Sequence, residues 1–145
     1  MRRILFCLGL VASASQVAAA QNAKPERPAV AVARSEVTVN REVFSDSETR
    51  IAAMNLVNSD CSSGTLPTLR FVTSPKNGTT RTEEMTIPID RPATDTRASC
   101  NGKPVQALGI FYKPNSGYTG ADSVIVDVDF HLGNVRRFTY KITVR

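Results

Sequence analysis

The chain predicts a small all-β sandwich, on three observations. Its last third, Leu108 to Arg145, alternates apolar and polar residues through successive runs separated by a Gly- and Pro-rich turn and a Gly-Asn loop. Turn signals recur at near-regular spacing, so about seven short strands can be read between Glu36 and Arg145. Two cysteines, Cys61 and Cys100, lie beyond an apolar N-terminal leader, as in small exported domains. Alternation gives each strand one buried and one wet face, and about seven such strands argue a sandwich or barrel.

Residues 1–20 read as a secretory signal. Arg2 and Arg3 form a positive start, Ile4 to Val11 an apolar stretch, and Ala18-Ala19-Ala20 a cleavage site. Cleavage after Ala20 removes Cys7. The apolar stretch is shorter than the roughly 20 residues a transmembrane helix needs, and no later segment reaches that length, so no membrane insertion is expected after cleavage. Residues 21–35 are rich in Ala, Pro, Lys and Glu without a period and read as a disordered segment. The folded domain is expected over 36–145, in the periplasm or secreted. Net charge falls from +5 to +3 once Arg2 and Arg3 leave. The remaining Lys and Arg are scattered, with no basic stripe interleaved with aromatics, so nucleic-acid binding is not expected.

Each strand follows from local pattern. Val37 and Val39 alternate with polar neighbours, and Ser45-Asp46-Ser47 signals a turn. Ile51 to Val57 is apolar; Ala52-Ala53-Met54 leans helical in isolation, but its neighbourhood argues strand. Thr68 to Thr73 places Leu69 and Phe71 on one face. Asn77-Gly78 reads as a tight turn that tolerates positive φ, and an extended pattern resumes to Ile87. Asp90 to Pro104 is a long polar loop, of a length that is usually functional or mobile. Gln106 to Lys113 is a strand with Leu108, Ile110 and Tyr112 on one face.

The last two strands run over Ser123–Phe130 and from Phe138 to Val144. Both apolar sets must face the core, which requires an odd loop. Pairing Phe130 with Phe138 satisfies this and sets Asp127 opposite Lys141, an exposed pair of little worth. Cys61 and Cys100 are an even pair in an exported chain and read as a disulfide. Chain-entropy arguments put such a bridge at roughly 3–4.7 kcal/mol.

The stretch Tyr112-Lys113-Pro114-Asn115-Ser116-Gly117-Tyr118-Thr119-Gly120-Ala121-Asp122-Ser123 resembles the signature of bacterial immunoglobulin-like and cadherin-like repeats, in which Y-x-P leads into G-[YF]-x-G-x-D-[ST]. Pro75-Lys76-Asn77-Gly78-Thr79-Thr80 resembles their upstream P-x-x-G-x-[VT] turn. The resemblance covers roughly Leu66 to Val144. It implies an immunoglobulin-like antiparallel β-sandwich with one disulfide. Physical chemistry agrees at each position. Pro114 stiffens a strand exit; Gly117 and Gly120 permit positive φ; Tyr118 can cover the sandwich end as in a tyrosine corner; Asp122 can accept backbone N–H bonds. The family's clustered calcium-binding carboxylates have no counterpart here, since Asp127 and Asp129 alternate along one strand.

No reaction centre is visible. The single histidine, His131, excludes a histidine metal cluster, and adjacent Glu83 and Glu84 point to opposite faces of a strand. No phosphate-binding glycine loop occurs. The expectation is therefore a non-enzymatic protein without metal or cofactor, engaging an envelope or extracellular protein or playing a structural part in the envelope. The alternative is an inhibitor or a small-ligand or glycan-binding domain that uses the Cys100 loop; the absence of Trp weighs against sugar stacking. A hydrolytic or metal-dependent enzyme, which bound metal or turnover dependent on His131 would reveal, and a pilin-like subunit lacking a strand are further rivals. The candidate binding loop comprises Thr94, Asp95, Arg97, Asn101 and Lys103.

Overall fold

A computed structural model describes residues 34–145. The expected signal peptide over 1–20 and nearly all of the segment expected to be disordered over 21–35 lie outside the described residues. Among the described residues seven strands form two sheets. The four-stranded sheet runs in the order β1 (Arg34–Val43), β7 (Val135–Val144), β6 (Gly120–Asp129), β3 (Thr68–Thr73). The three-stranded sheet runs β2 (Thr49–Met54), β5 (Pro104–Pro114), β4 (Gly78–Pro88). Among the described residues there is no α-helix, only a single 3-10 turn at Ala98–Cys100.

The sandwich is not wholly antiparallel. β1 pairs with β7 in parallel, Arg34 beside Val135 through Val43 beside Val144. The first and last strands of the described residues therefore lie side by side in the same direction. Nothing local encodes that pairing. β1 is also longer than the short strand expected around Val37 and Val39, and it begins at Arg34.

Alternation explains the main core. Val124, Val126 and Val128 of β6 share it with Tyr140, Ile142 and Val144 of β7 and with Ile51, Met54, Ile110 and Tyr112 from the other sheet. Each fully buried aliphatic side chain contributes about 1.5–3 kcal/mol. The Ala-rich Ile51 stretch is a strand, as its neighbourhood argues, with a bulge between Arg50 and Ala52. The bulge lets Ile51 reach the core, where it is almost fully buried.

A second, smaller core holds Val57, Ile89, Cys100 and Val105, edged by Cys61 and Ile87. Strand alternation puts Val105 on the face of β5 opposite to Leu108, Ile110 and Tyr112. The loops joined by the disulfide thus fold over the outer face of the three-stranded sheet. Cys61 and Cys100 are bonded across a separation of 39 residues.

Three expectations are corrected. The β6–β7 connection is odd, which preserves the facing of both apolar sets, but it is longer than supposed. Val126, not Phe130, faces Phe138, and residues 130–134 form the loop. Asp127 consequently faces Arg137 rather than Lys141, and it is buried, 3% exposed, instead of solvated. Its carboxylate accepts two hydrogen bonds from Arg137, at 2.7 and 3.0 Å, and one from Arg70 at 2.6 Å. Finally, Asn77 and Gly78 do not adopt positive φ. Their segment crosses between the sheets from β3 to β4 rather than closing a hairpin. Gly78 is small for another reason: a Cβ there would stand 2.5 Å from the Lys113 carbonyl oxygen and 2.6 Å from the Tyr112 ring.

Candidate functional site

The two ends of the sandwich differ. At one end the β1–β2, β3–β4 and β5–β6 connections are tied to one another. Asp122 is the hub. Its carboxylate accepts the backbone N–H groups of Lys76 and Asn77 at 3.0 and 2.8 Å, that of Ser123 at 2.8 Å, and the Tyr112 hydroxyl at 3.0 Å. Burial alone would raise its pKa; the three backbone donors and the Tyr112 hydroxyl outweigh burial and hold it below the ordinary value of 3.8. Burial, with Asp122 beside it, pushes the Tyr112 phenol up.

The remaining turn residues surround this hub. Pro114 ends β5 and is buried. Gly117 and Gly120 take φ of 69° and 124°. The Gly117 N–H donates to Asp46 at 3.0 Å, and the Tyr118 hydroxyl donates to the Ala121 carbonyl at 2.7 Å. The carboxylate of Asp122 and the hydroxyls of Tyr112 and Tyr118 are engaged within the fold, so these side chains hold the loops of this end together.

The opposite end gathers the β2–β3, β4–β5 and β6–β7 connections. They frame a cleft of about 970 Å³ lined by residues from all three, among them Asn55, Asp60, Arg91, Asp95, Arg97, Leu132 and Arg136. The disulfide joins two of the three loops and fixes their spacing. Asn101 clamps the base of its loop: its side chain accepts the Arg91 N–H at 2.8 Å and donates to the Arg91 carbonyl at 2.9 Å. The Arg91 guanidinium then donates to Asn55 at 2.7 Å. Asp95 accepts the Arg97 N–H at 2.8 Å, an Asx turn that shapes the rim. Asp60 accepts from the Ser62 hydroxyl and N–H at 2.6 and 3.0 Å, and these bonds, with a smaller contribution from the nearby Lys103 charge, lower its pKa.

Of the residues expected to form a binding loop, Asp95 and Arg97 line the cleft. Asn101 acts behind it on Arg91, Lys103 lies near enough to influence Asp60, and Thr94 is exposed on the same loop. Sequence reasoning missed Arg91, Leu132 and Arg136. The signal for Leu132 was an apolar residue within a His-Leu-Gly-Asn loop; it is 68% exposed. His131 has φ of 60°, its Nε2 lies 3.2 Å from the Leu66 carbonyl oxygen, and its Nδ1 lies 4.0 Å from Asp129. Among the described residues no group of three or more His, Cys, Asp or Glu side chains is placed to hold a metal ion, and no helix is long and apolar enough to cross a membrane.

No protein-family model matches the chain, and no curated protein matches it in sequence. Among solved structures it is similar to amebosin, known in solution, at 12% identity and a TM-score of 0.40, over 78% of this chain and 99% of that one.

Proposed function

We propose that the chain is an exported, non-enzymatic immunoglobulin-like module that binds a protein partner through its three-loop end. The observation that carries this reading is the cleft itself, in which three connections distant in sequence meet around charged and apolar side chains. The strand order supports the fold assignment. Lettering β1 to β7 as A to G gives sheets A-G-F-C and B-E-D. Immunoglobulin domains have C-F-G against A-B-E-D, with binding loops such as B–C and F–G clustered at one end. Here strand A sits beside G instead of B.

Export is supported by the leader sequence and by the disulfide, which persists in oxidising compartments. The non-enzymatic reading draws on the surroundings of His131, whose two ring nitrogens face a backbone carbonyl and Asp129 rather than a serine or cysteine nucleophile. Function on such a fold resides in its loops and edges.

The test is crosslinking capture from native envelope extract. Wild type would be compared with Ser59→Trp and Asn134→Trp, which fill the cleft, and with Ser116→Trp at the opposite end. A defined partner captured by wild type and by the Ser116 variant, and lost with either cleft-filling variant, is the expected result. Equal capture by all four chains would remove the loop end from consideration. Absence of any specific capture by a folded monomer would overturn the protein-binding reading.

A further inference from the structure

Resting on that reading of the loop end, we infer that the cleft recognises an acidic peptide segment of its partner, carrying carboxylates next to an aliphatic side chain. The charge pattern points there. Arg91 and Arg97 of the β4–β5 loop and Arg136 at the start of β7 converge on the cleft. Among the described residues, no carboxylate lies within ion-pair reach of any of these guanidiniums, although Arg41, which bonds to backbone carbonyls, and Arg50 are the only other described arginines from Arg41 onward without an acidic partner or cleft position.

The two acids in the cleft offset part of this charge and leave an excess of arginine, and neither pairs with a guanidinium. Asp60 is occupied by Ser62 and offset by Lys103, and Asp95 is occupied by the Arg97 N–H. Two of the arginines are also held at their side chains, and the third is set at its backbone. Arg91 is fixed at its backbone by Asn101 and at its head by Asn55. Arg136 lies over the Phe138 ring at 5.5 Å. Arg97 follows an Asx turn. Guanidinium groups with open donors suit planar carboxylates, which they bind through paired hydrogen bonds.

The remaining wall selects among anions. Leu56, Phe130 and Leu132 line it, and Leu132 is the most exposed aliphatic side chain among the large apolar residues on the described surface. An aliphatic side chain next to a carboxylate covers that wall while its charge meets the arginines. An anionic polysaccharide would leave Leu132 facing polar hydroxyls.

The experiment uses the full mature chain and fluorescein-labelled peptides rich in Asp and Glu around a single Leu, read by fluorescence polarisation. Matched peptides carry Asn and Gln in place of the acids, and a sulfated heparin oligosaccharide serves as the glycan arm. The expected result is binding of the acidic peptides, weakened about tenfold or more by removal of their charge or by Arg97→Glu with Arg136→Glu, and weakened further by salt. Leu132→Ser should weaken it severalfold with unchanged melting. Equal binding of acidic and amide peptides, or undiminished binding by the arginine variant, overturns the inference. So does heparin binding through the same arginines without peptide binding. If cleft-filling variants lose a captured partner while acidic peptides fail, the loop-end reading stands and the acidic class falls. If capture survives cleft filling, both fall.

Discussion

At the residue scale, Asp122 shows how one carboxylate joins distant segments. It takes donors from the β3–β4 connection and from β5, at 45 to 46 and 10 residues' separation. Its pKa is lowered in the fold, so the ionised form is the stabilising one. That stabilisation is complete above the unfolded carboxylate pKa and is lost as pH falls through the lower folded value. Asp122→Asn keeps one acceptor and loses the charge; it should cost about 1–3 kcal/mol at neutral pH. Urea unfolding at neutral pH and below about pH 3 would check it, because the gap between the two chains should shrink in acid. Gly78→Ala makes a separate case. Its Cβ would press on a backbone carbonyl and on the Tyr112 ring, so the variant should lose about 1–3 kcal/mol by overpacking, measured by the shift of the urea midpoint. The sequence marked this glycine as special, but for the wrong cause. An Asn-Gly pair signals positive φ locally, whereas the actual demand comes from a tyrosine 34 positions later in the chain, on the paired strand.

At the element scale, the period-two pattern of β5, β6 and β7 was legible because their inward residues are apolar almost without exception. Asp127 was not legible. Alternation places it outward, and outward ordinarily means wet. Here the outer face of the four-stranded sheet carries a row of charges, Glu36 of β1, Arg137 of β7, Asp127 of β6 and Arg70 of β3, set side by side by the strand register. Arginine stems cover the acid. The two arginines are unequal: Arg137 makes two bonds and is 23% exposed, while Arg70 makes one and is 64% exposed. Arg137→Ala should therefore destabilise more than Arg70→Ala, since it removes two charge-assisted bonds from a buried acid, and Arg70→Ala should cost about 1 kcal/mol or less. Equal unfolding midpoints for the two variants would contradict this ordering. The disulfide belongs to the same scale. Its partners were legible from cysteine count alone, but the small core beneath it was not, because Val57, Ile89 and Val105 come from three segments. Replacing both cysteines by alanine should cost about 2–5 kcal/mol, read by thermal melting, and should loosen the Arg91–Asn101 clamp nearby.

At the scale of the whole molecule, the parallel pairing of β1 with β7 decides whether the sandwich has an open seam. β7 donates its core face, Phe138 to Val144, to the interior and its edge to β1. β1 closes that edge with a strand bearing Glu36, Arg41 and Glu42, charged residues of the kind that discourage further strand addition. It also brings Val43 into the core, and the ends of β1 and β7 are latched beyond it: the Ser45 N–H donates to the Arg145 carbonyl at 2.7 Å, and the Arg145 N–H to that of Val43 at 2.9 Å. A subunit that lacked a strand would present the β7 edge for a donor from another chain; here the same chain fills it. A chain beginning at Phe44 recreates the open seam. It should melt at lower temperature and self-associate as its concentration rises, seen by light scattering. A synthetic peptide of residues 34–43 added in excess should reverse the association by occupying the vacated edge. A truncated chain that stays monomeric with an unchanged melting temperature would mean that β1 contributes neither stability nor protection, and that the β7 edge is guarded by its own side chains.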